Sequence, residues 1–368
     1  MLEGAPPVTS PIDIFTGKKT FITGHTGFKG SWLTLWLSLI GSHVYGYSLP
    51  AAAESHYNIV GIKEYLHDEL LADIRDRDIL KKVLMEFRPD VIFHFAAQPL
   101  VTYGYLNPRE THDVNIMGTI ALLEAIRENG QPVIVIIVTS DKCYAVEGRT
   151  SCFQESDRLG GSDPYSASKA AVEIICESYR CSYFTPEKLN EHQIALATVR
   201  AGNVIGGGDF ASDRIIPDMF RSIVAKEPII LRNPQAIRPW QHVLEPLYGY
   251  LLLASTLLTT REETFCSAFN FGPDSNDCLT VQELIDRFIG AWPEKCAKPV
   301  VKSSDFHETP VLNLSVEKSR DILGWSPLWK NQQAIEKTAN WYYDYLYNGN
   351  LVSSRSIQDI IEYMDLVK

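Results

Sequence analysis

Short apolar runs alternate with stretches of helical spacing along the first part of the chain. Lys18–Thr23, His43–Tyr47, Val91–Phe95, Val133–Val138 and Ala195–Arg200 are bounded by glycine or polar residues and predict strands. Ser31–Ile40, Arg77–Phe87, Thr119–Asn129 and the stretch around Tyr165 carry helical spacing between them. Glu69–Ile74 closes a third strand ahead of the Arg77 helix. Strand and helix in alternation predict an α/β fold with a doubly wound, parallel sheet of the Rossmann type.

After Asn203 the rhythm breaks. Gly206–Gly208, Pro217, Pro228, Pro234 and Pro239 divide short elements, with a helix expected near Ile216–Lys226. Ser267–Phe271 reads as a strand returning to the main sheet. Thr280–Trp292 follows a Thr N-cap, and Val316–Leu323 and Gln333–Leu346 are expected helices. The expected division is a flexible arm over 1–13, a dinucleotide-binding domain over 14–202, and a smaller, discontinuous C-terminal lobe over 203–368.

Composition narrows the function. The 368 residues carry a formal charge of −11, with 45% hydrophobic and 21% charged residues. That balance belongs to a globular protein and argues against a nucleic-acid partner. Seven cysteines form neither a CxxC pair nor a metal-ligand spacing, so no metal site and a reduced, cytoplasmic setting are expected. Residues 1–13 lack the basic start and apolar core of a signal peptide, and no apolar run approaches a membrane span.

The chemistry concentrates in three places. Tyr165 and Lys169 are four apart on one helix face, where a cationic lysine is expected to lower the phenol pKa and make Tyr165 a proton acceptor. Ser140 follows the strand Val133–Val138 and could hold the same hydroxyl. Asp141 and Lys142 add one acid and one base beyond what alcohol oxidation needs; the alternative is that they pair with each other. Gly24, Gly27 and Gly30, with Thr26, Phe28 and Lys29, join the first strand to the first helix in a GxxGxxG spacing suited to a pyrophosphate. The alternative there is a tight turn with no ligand. Asp73 and Ile74 either edge an adenine or cap a turn, and Phe95-Ala96-Ala97-Gln98 has small residues where a strand end would pass a cofactor. The second strand ends in Tyr47-Ser-Leu-Pro50 with neither an acid nor an arginine, so spacing alone leaves NAD and NADP both open.

These segments together resemble the extended short-chain dehydrogenase/reductases that act on nucleotide sugars. Gly24-His-Thr-Gly-Phe-Lys-Gly-Ser-Trp-Leu33, Ala96-Ala-Gln-Pro-Leu-Val101, Thr139-Ser-Asp-Lys-Cys-Tyr144, Arg200-Ala-Gly-Asn-Val-Ile-Gly-Gly-Gly-Asp209 and the run Arg232–Leu247 resemble the branch that dehydrates CDP-hexoses. The resemblance spans roughly Phe15 to Trp341. It departs between Ala145 and Ser162, a segment expected to border the sugar pocket. It implies NAD as cofactor, with Thr139 and Gln98 added to the cofactor set and Asn115 holding a water relay from Lys169. It implies C4 oxidation assisted by Tyr165 and Ser140, elimination with Asp141 as acid and Lys142 as base, and a nucleotide-sugar site using Gln98, Ser140, Asn203, Arg214, Arg232 and Arg238. It also implies a homodimer built from helices at Thr111–Asn129 and Pro164–Tyr179. A 4-epimerase or reductase on the same scaffold needs Tyr165 and the cofactor but not the Asp141/Lys142 pair. A dinucleotide-binding regulator without turnover needs no aligned base.

Overall fold

The computed structural model describes residues 10–146, 151–231, 233–274, 276–297, 299–301 and 313–367. Seven strands form one parallel sheet: β1 (Lys19–Thr23), β2 (His43–Ser48), β3 (Asp68–Leu71), β4 (Val91–His94), β5 (Val133–Val138), β6 (Ile194–Ala201) and β7 (Ala268–Phe271). Their spatial order is β7-β6-β5-β4-β1-β2-β3. The chain winds one way from β1 to β3 and the other way from β4 onward, so the switch point lies between β1 and β4, the place where such sheets bind ligands. The strand expected near 267–271 does return to this sheet, where Ala268 pairs with Thr198.

Period-two alternation supplies both faces of the sheet. In β5, Ile134, Ile136 and Val138 enter one hydrophobic cluster, while Val133, Val135 and Ile137 enter the other. Helices α1 (Phe28–Leu39), α2 (Arg77–Phe87), α3 (Gly118–Asn129) and α4 (Pro164–Ser182) fill the crossovers. Asp163 caps α4 by accepting from the Ser166 N–H at 3.0 Å, and Pro164 sits at its first turn, so the start of the helix that carries Tyr165 is fixed locally. The helix expected to include Thr111 reaches α3 through a π-helical turn at Asp113–Met117.

The longer helices after β6 are α5 (Ile215–Ala225), α6 (Leu244–Thr260), α7 (Val281–Ala291), α8 (Asn331–Tyr347) and α9 (Val352–Leu366). Thr280 and Glu283 form a capping box at α7. Three expectations need correction. Residues 1–9 of the expected arm lie outside the described residues, but from Ser10 the chain is packed: Ile12 and Phe15 are fully buried, and the Ser255 hydroxyl donates to the Pro11 carbonyl. The helix expected over Val316–Leu323 shortens to Glu317–Asp321. Helices α6 and α9 were not expected at all. In α6 the residues from Leu244 to Ser255 are all buried, so it carries no polar face to mark its period.

Glu245, in the first turn of α6, ties the C-terminal elements to the core. Its carboxylate accepts from the Leu328 and Trp329 N–H groups and from the Tyr363 hydroxyl. Burial nevertheless pushes its pKa from 4.5 up to about 7. The folded state therefore holds an extra proton between these values, and the stability it brings is complete below pH 4.5 and lost as pH rises through about 7. Comparison of denaturant unfolding for wild type and Glu245→Gln is expected to show a pH-dependent difference of ~3 kcal/mol across that window. A constant difference between pH 5 and 8 would place the titration elsewhere.

Candidate active site

The loop from β1 to α1 sets the geometry at the switch point. Gly24 has φ +75°, and a Cβ there would lie 2.7 Å from the Ala96 nitrogen. At Gly30 a Cβ would lie 2.1 Å from the Gly24 carbonyl oxygen. Both glycines are thus required by contacts within the protein. Gly27 differs: it is the exposed N-cap of α1, faces the cleft, and a Cβ there would approach only the Gly24 oxygen, at 3.3 Å. Beside it the α1 N-terminus presents free N–H groups to an anion. The Thr26 hydroxyl is held by Ser48 at 2.8 Å and by the Leu49 carbonyl at 3.0 Å.

A cleft of about 1720 Å³ runs from this loop to the second lobe. Its walls include Gly24, Thr26, Gly27, Phe28, Lys29, Gly30, Asp73, Ile74, Phe95, Ala96, Ala97, Thr139, Ser140, Asp141, Lys142, Tyr165, Lys169, Asn203, Arg214 and Arg238. One cavity therefore gathers most of the residues singled out from the sequence. Arg232 lies outside the described residues. The departing segment borders the cleft as expected, through Ala145, Val146 and Arg158–Ser162.

The centre of the cleft is desolvated, and burial decides its proton affinities. Tyr165 is pushed up to about 12 by burial, with Ser140 and Arg214 pulling down and Asp141 pushing up. Burial brings Lys169 down to about 8 against the pull of Glu173, and its ammonium donates to the Val138 carbonyl at 3.1 Å. The expectation that Lys169 lowers the phenol pKa therefore fails in this arrangement, because desolvation outweighs the i,i+4 charge and the ammonium is directed to the end of β5. Burial also brings Lys29 down to about 7, with Arg214 and Lys169 acting the same way and Asp141 opposing.

Ser140 caps a short 3₁₀ turn, Asp141–Cys143, by accepting from the Lys142 N–H at 3.2 Å. Its hydroxyl donates to Asp141 Oδ1 at 2.9 Å. Burial raises the Asp141 pKa against the opposing charges of Lys142 and Lys29, and Oδ2 is buried with no hydrogen-bond partner. The alternative of a plain Asp141–Lys142 ion pair is therefore not what the turn forms. Half-buried Lys142 stands on the cleft wall beside a carboxyl whose surroundings favour the protonated form.

Two other assignments change. Gln98 does not line the cleft: its amide donates to the Leu100 carbonyl at 3.0 Å and Thr111 Oγ1 at 2.8 Å, and accepts from the Leu100 N–H at 2.5 Å, bracing the following loop. Asn115 donates to the Gln98 carbonyl at 3.1 Å and to Ser168 Oγ at 2.8 Å, and so joins the β4 end to α4. The Thr139 hydroxyl is turned away to Glu173 and the Val199 carbonyl. In addition, Asp73 is engaged by Arg75 through its N–H, Nε and Nη2, while Tyr47 donates to its carbonyl at 2.9 Å.

Sequence reasoning missed the buried Glu173–Arg200 pair, at 2.9 Å, which joins α4 to β6. Glu173 lies one turn beyond Lys169 on the same helix face, and that spacing was the available signal. In the second lobe Arg214 pairs with Asp209 at 2.7 Å within the cleft, and Arg238 donates to its neighbouring Ile237 carbonyl at 2.9 Å. Among the described residues no group of three or more His, Cys, Asp or Glu side chains is placed to hold a metal ion.

This geometry can be set beside known proteins. The model of the GDP-mannose 4,6 dehydratase family matches residues 21–338. The chain belongs to that family. CDP-glucose 4,6-dehydratase of Salmonella typhimurium is 41% identical over 350 residues, covering 94% of this chain and 97% of that one. Among solved structures, the UDP-glucose-4-epimerase of Stenotrophomonas maltophila superposes with a TM-score of 0.77 at 20% identity, covering 89% and 99%. The dTDP-glucose 4,6-dehydratase of Bacillus anthracis, in complex with NAD, gives 0.72 at 21% identity, covering 89% and 97%. The two structural likenesses show the shared fold.

The contrast between the glycines gives a paired expectation. Gly27→Ala keeps an allowed backbone, since φ is −77°, so the protein should fold while its affinity for dinucleotide falls ~10-fold. Gly30→Ala should instead fail to fold or unfold at much lower denaturant. Isothermal titration and denaturant melts check both, and unchanged binding by Gly27→Ala would remove the loop from the anion site.

Proposed function

We propose that this protein is an NAD-dependent 4,6-dehydratase of a nucleotide hexose, with CDP-D-glucose as substrate and CDP-4-keto-6-deoxy-D-glucose and water as products. The observation that carries this reading is a buried carboxyl, Asp141, held by Ser140 and followed at once by Lys142, in the same cleft as Tyr165. Oxidation and re-reduction at C4 alone need no such pair. The 41% identical relative named CDP-glucose 4,6-dehydratase supports the same choice and the CDP nucleotide. The fold neighbours named as epimerases make 4-epimerisation the second reading, and the Asp141/Lys142 pair is what weighs against it.

The residues then divide the work. Ser140 holds the C4 hydroxyl and Tyr165 takes its proton. A phenol at about 12 gives up its own proton only beside positive charge, which Arg214 supplies from the cleft. Lys142 removes the C5 proton, and that C–H electron pair becomes the C5–C6 double bond. Asp141, whose proton affinity burial raises, gives its proton to the C6 oxygen as the C6–O bond breaks, and water leaves. The glycine loop, with the open face at Gly27, the α1 N-terminus and the strand-end residues Phe95–Ala97, fits a dinucleotide; NAD bound there would accept hydrogen from C4 and return it to C6. Asn203, Arg214 and Arg238, with Arg232, bind the nucleotide diphosphate. The dinucleotide domain comprises 14–202 with the strand near 267–271, and the sugar-nucleotide lobe is mainly 203–368. The seven cysteines, which form no CxxC pair, suit a reducing cytoplasm, and among the described residues no helix is long and apolar enough to cross a membrane.

Incubation with CDP-, dTDP-, UDP- and GDP-hexoses tests the substrate. A 4-keto-6-deoxy product from CDP-glucose, read by its absorbance in alkali, is expected; a 4-epimer with no such product would select the second reading. Lys142→Met separates the steps. It should leave C4 oxidation intact and slow product formation by ~10²–10⁴-fold. Full turnover with wild-type incorporation of solvent deuterium at C5 would make Lys142 a structural residue.

We also assign a homodimer to the helical segments Thr111–Asn129 and Pro164–Tyr179. Met117 and Ile174 expose about half of their surface there, at 49% and 59%. Ile174→Arg is expected to convert a sedimenting dimer to monomer. A wild-type monomer, or a variant dimer of undiminished stability, would contradict it.

A further inference from the structure

Gly202 meets the candidate acid at close range. It follows β6 directly, at the end of the sheet where the neighbouring β5 leads into Ser140 and Asp141. A Cβ at Gly202 would lie 3.3 Å from Asp141 Oδ2, 2.9 Å from Pro239 Cγ and 3.6 Å from the Pro239 carbonyl oxygen. Gly202 is not among the residues of positive φ, so its backbone conformation does not call for glycine. The requirement is for space. Pro239 is fixed there by the residues after it: the Gln241 N–H donates to the Asn203 carbonyl at 3.1 Å, and Gln241–His242 pairs in parallel with Val204–Ile205. Arg238, on the cleft wall, belongs to the same short segment.

The two oxygens of Asp141 have different surroundings. Oδ1 accepts from the Ser140 hydroxyl at 2.9 Å. Oδ2 is buried, has no hydrogen-bond partner among the described residues, and faces the space where Gly202 lacks a side chain. With Oδ1 already an acceptor, a neutral Asp141 carries its proton on Oδ2. Gly202 and Asp141 both border the cleft.

We propose that Gly202 is a positioning residue for Asp141: the space left by its missing side chain, bounded by Pro239, seats the proton-bearing Oδ2 for delivery to the departing C6 oxygen. This rests on the dehydratase reading above. In that step Lys142 takes the C5 proton and the C5–H electron pair becomes the C5–C6 double bond. The C6–O bond breaks with its pair on oxygen, and the Asp141 proton completes the water. A methyl group in the seat must displace either the proline or the carboxyl. The proline is fixed by its ladder, whereas the carboxyl is held at one oxygen only and is the easier to move. C4 oxidation uses Tyr165 and Ser140 and needs no proton from Asp141.

Gly202→Ala tests this with two sugars that differ only at C6. With CDP-glucose, elimination should slow ~10-fold or more, because a misplaced acid loses much of its rate advantage. C4 oxidation should keep its wild-type rate, so reduced-nicotinamide absorbance accumulates in a single turnover. With CDP-6-deoxy-6-fluoroglucose the C6–F bond breaks with its electron pair on fluoride, which leaves without a proton. There the variant should stay within about twofold of the wild-type rate, since proton delivery no longer contributes. The ratio between the two sugars is taken on one preparation, so a reduced folded fraction cancels. Pro239→Ala withdraws the ring that bounds the seat and carries the same test should Gly202→Ala fail to fold. Gly290→Ala, where a Cβ would meet nothing within 4 Å, should change neither rate. Wild-type kcat on CDP-glucose, or equal losses on both sugars, would overturn the inference. Failure of the wild type to form a 4-keto-6-deoxy hexose from CDP-glucose would instead overturn the dehydratase reading.

Discussion

The carboxylate of Glu173 is the anchor from which the candidate site takes its shape. It projects from α4 one turn beyond Lys169 and receives Arg200 from β6, Thr198 from the same strand, and Thr139 from the end of β5. Burial alone would raise its pKa, but Arg200 and the two hydroxyls hold it below the usual carboxylate range. Arg200 continues the chain to the Tyr144 hydroxyl at 2.8 Å, and Tyr144 donates to Asn270 on β7. The helix bearing Tyr165 and Lys169 is thereby registered against the strand ends bearing Ser140 and Asp141. Removing one member of a buried pair of this kind commonly costs ~3–5 kcal/mol, since the other charge is left uncompensated. A surface ion pair, worth ~1 kcal/mol or less, could not impose the same register.

Desolvation then differentiates groups held at that register. The same low-polarity cleft raises Tyr165 and Asp141 and lowers Lys169 and Lys29, in each case disfavouring charge. A carboxyl with raised proton affinity is suited to act as an acid. The cleft therefore prepares acid–base chemistry before any ligand contributes, and ligand charge can tilt the balance because each group is already displaced from its solution value.

Much of this was legible in the sequence, and the exceptions have physical reasons. A strand such as β5 stood out because its β-branched apolar run of six residues is buried on both faces. Tyr165, Lys169, Ser140, Asp141 and the glycine loop were found because local spacing carries their chemistry. Helix α6 was not found, since burial on every side removes the polar face that periodicity needs. Gln98 was assigned to ligands and Asn115 to a water relay by resemblance; that their amides brace one another's loops is something only three-dimensional contacts show. The phenol pKa was misjudged because spacing reports the charge at i+4 but not the depth of the cavity around both groups.

On the dehydratase reading, C4 oxidation and C6 reduction are two halves of one reaction, joined by elimination at Asp141 and Lys142. Following the label from CDP-[4-²H]glucose tests it most directly. Mass spectrometry and proton NMR of the product should place the deuterium at C6 of a 4-keto-6-deoxy hexose, within the molecule that began with it. Deuterium returned to C4 of an epimerised sugar would contradict the account, and so would its loss to a free nicotinamide pool.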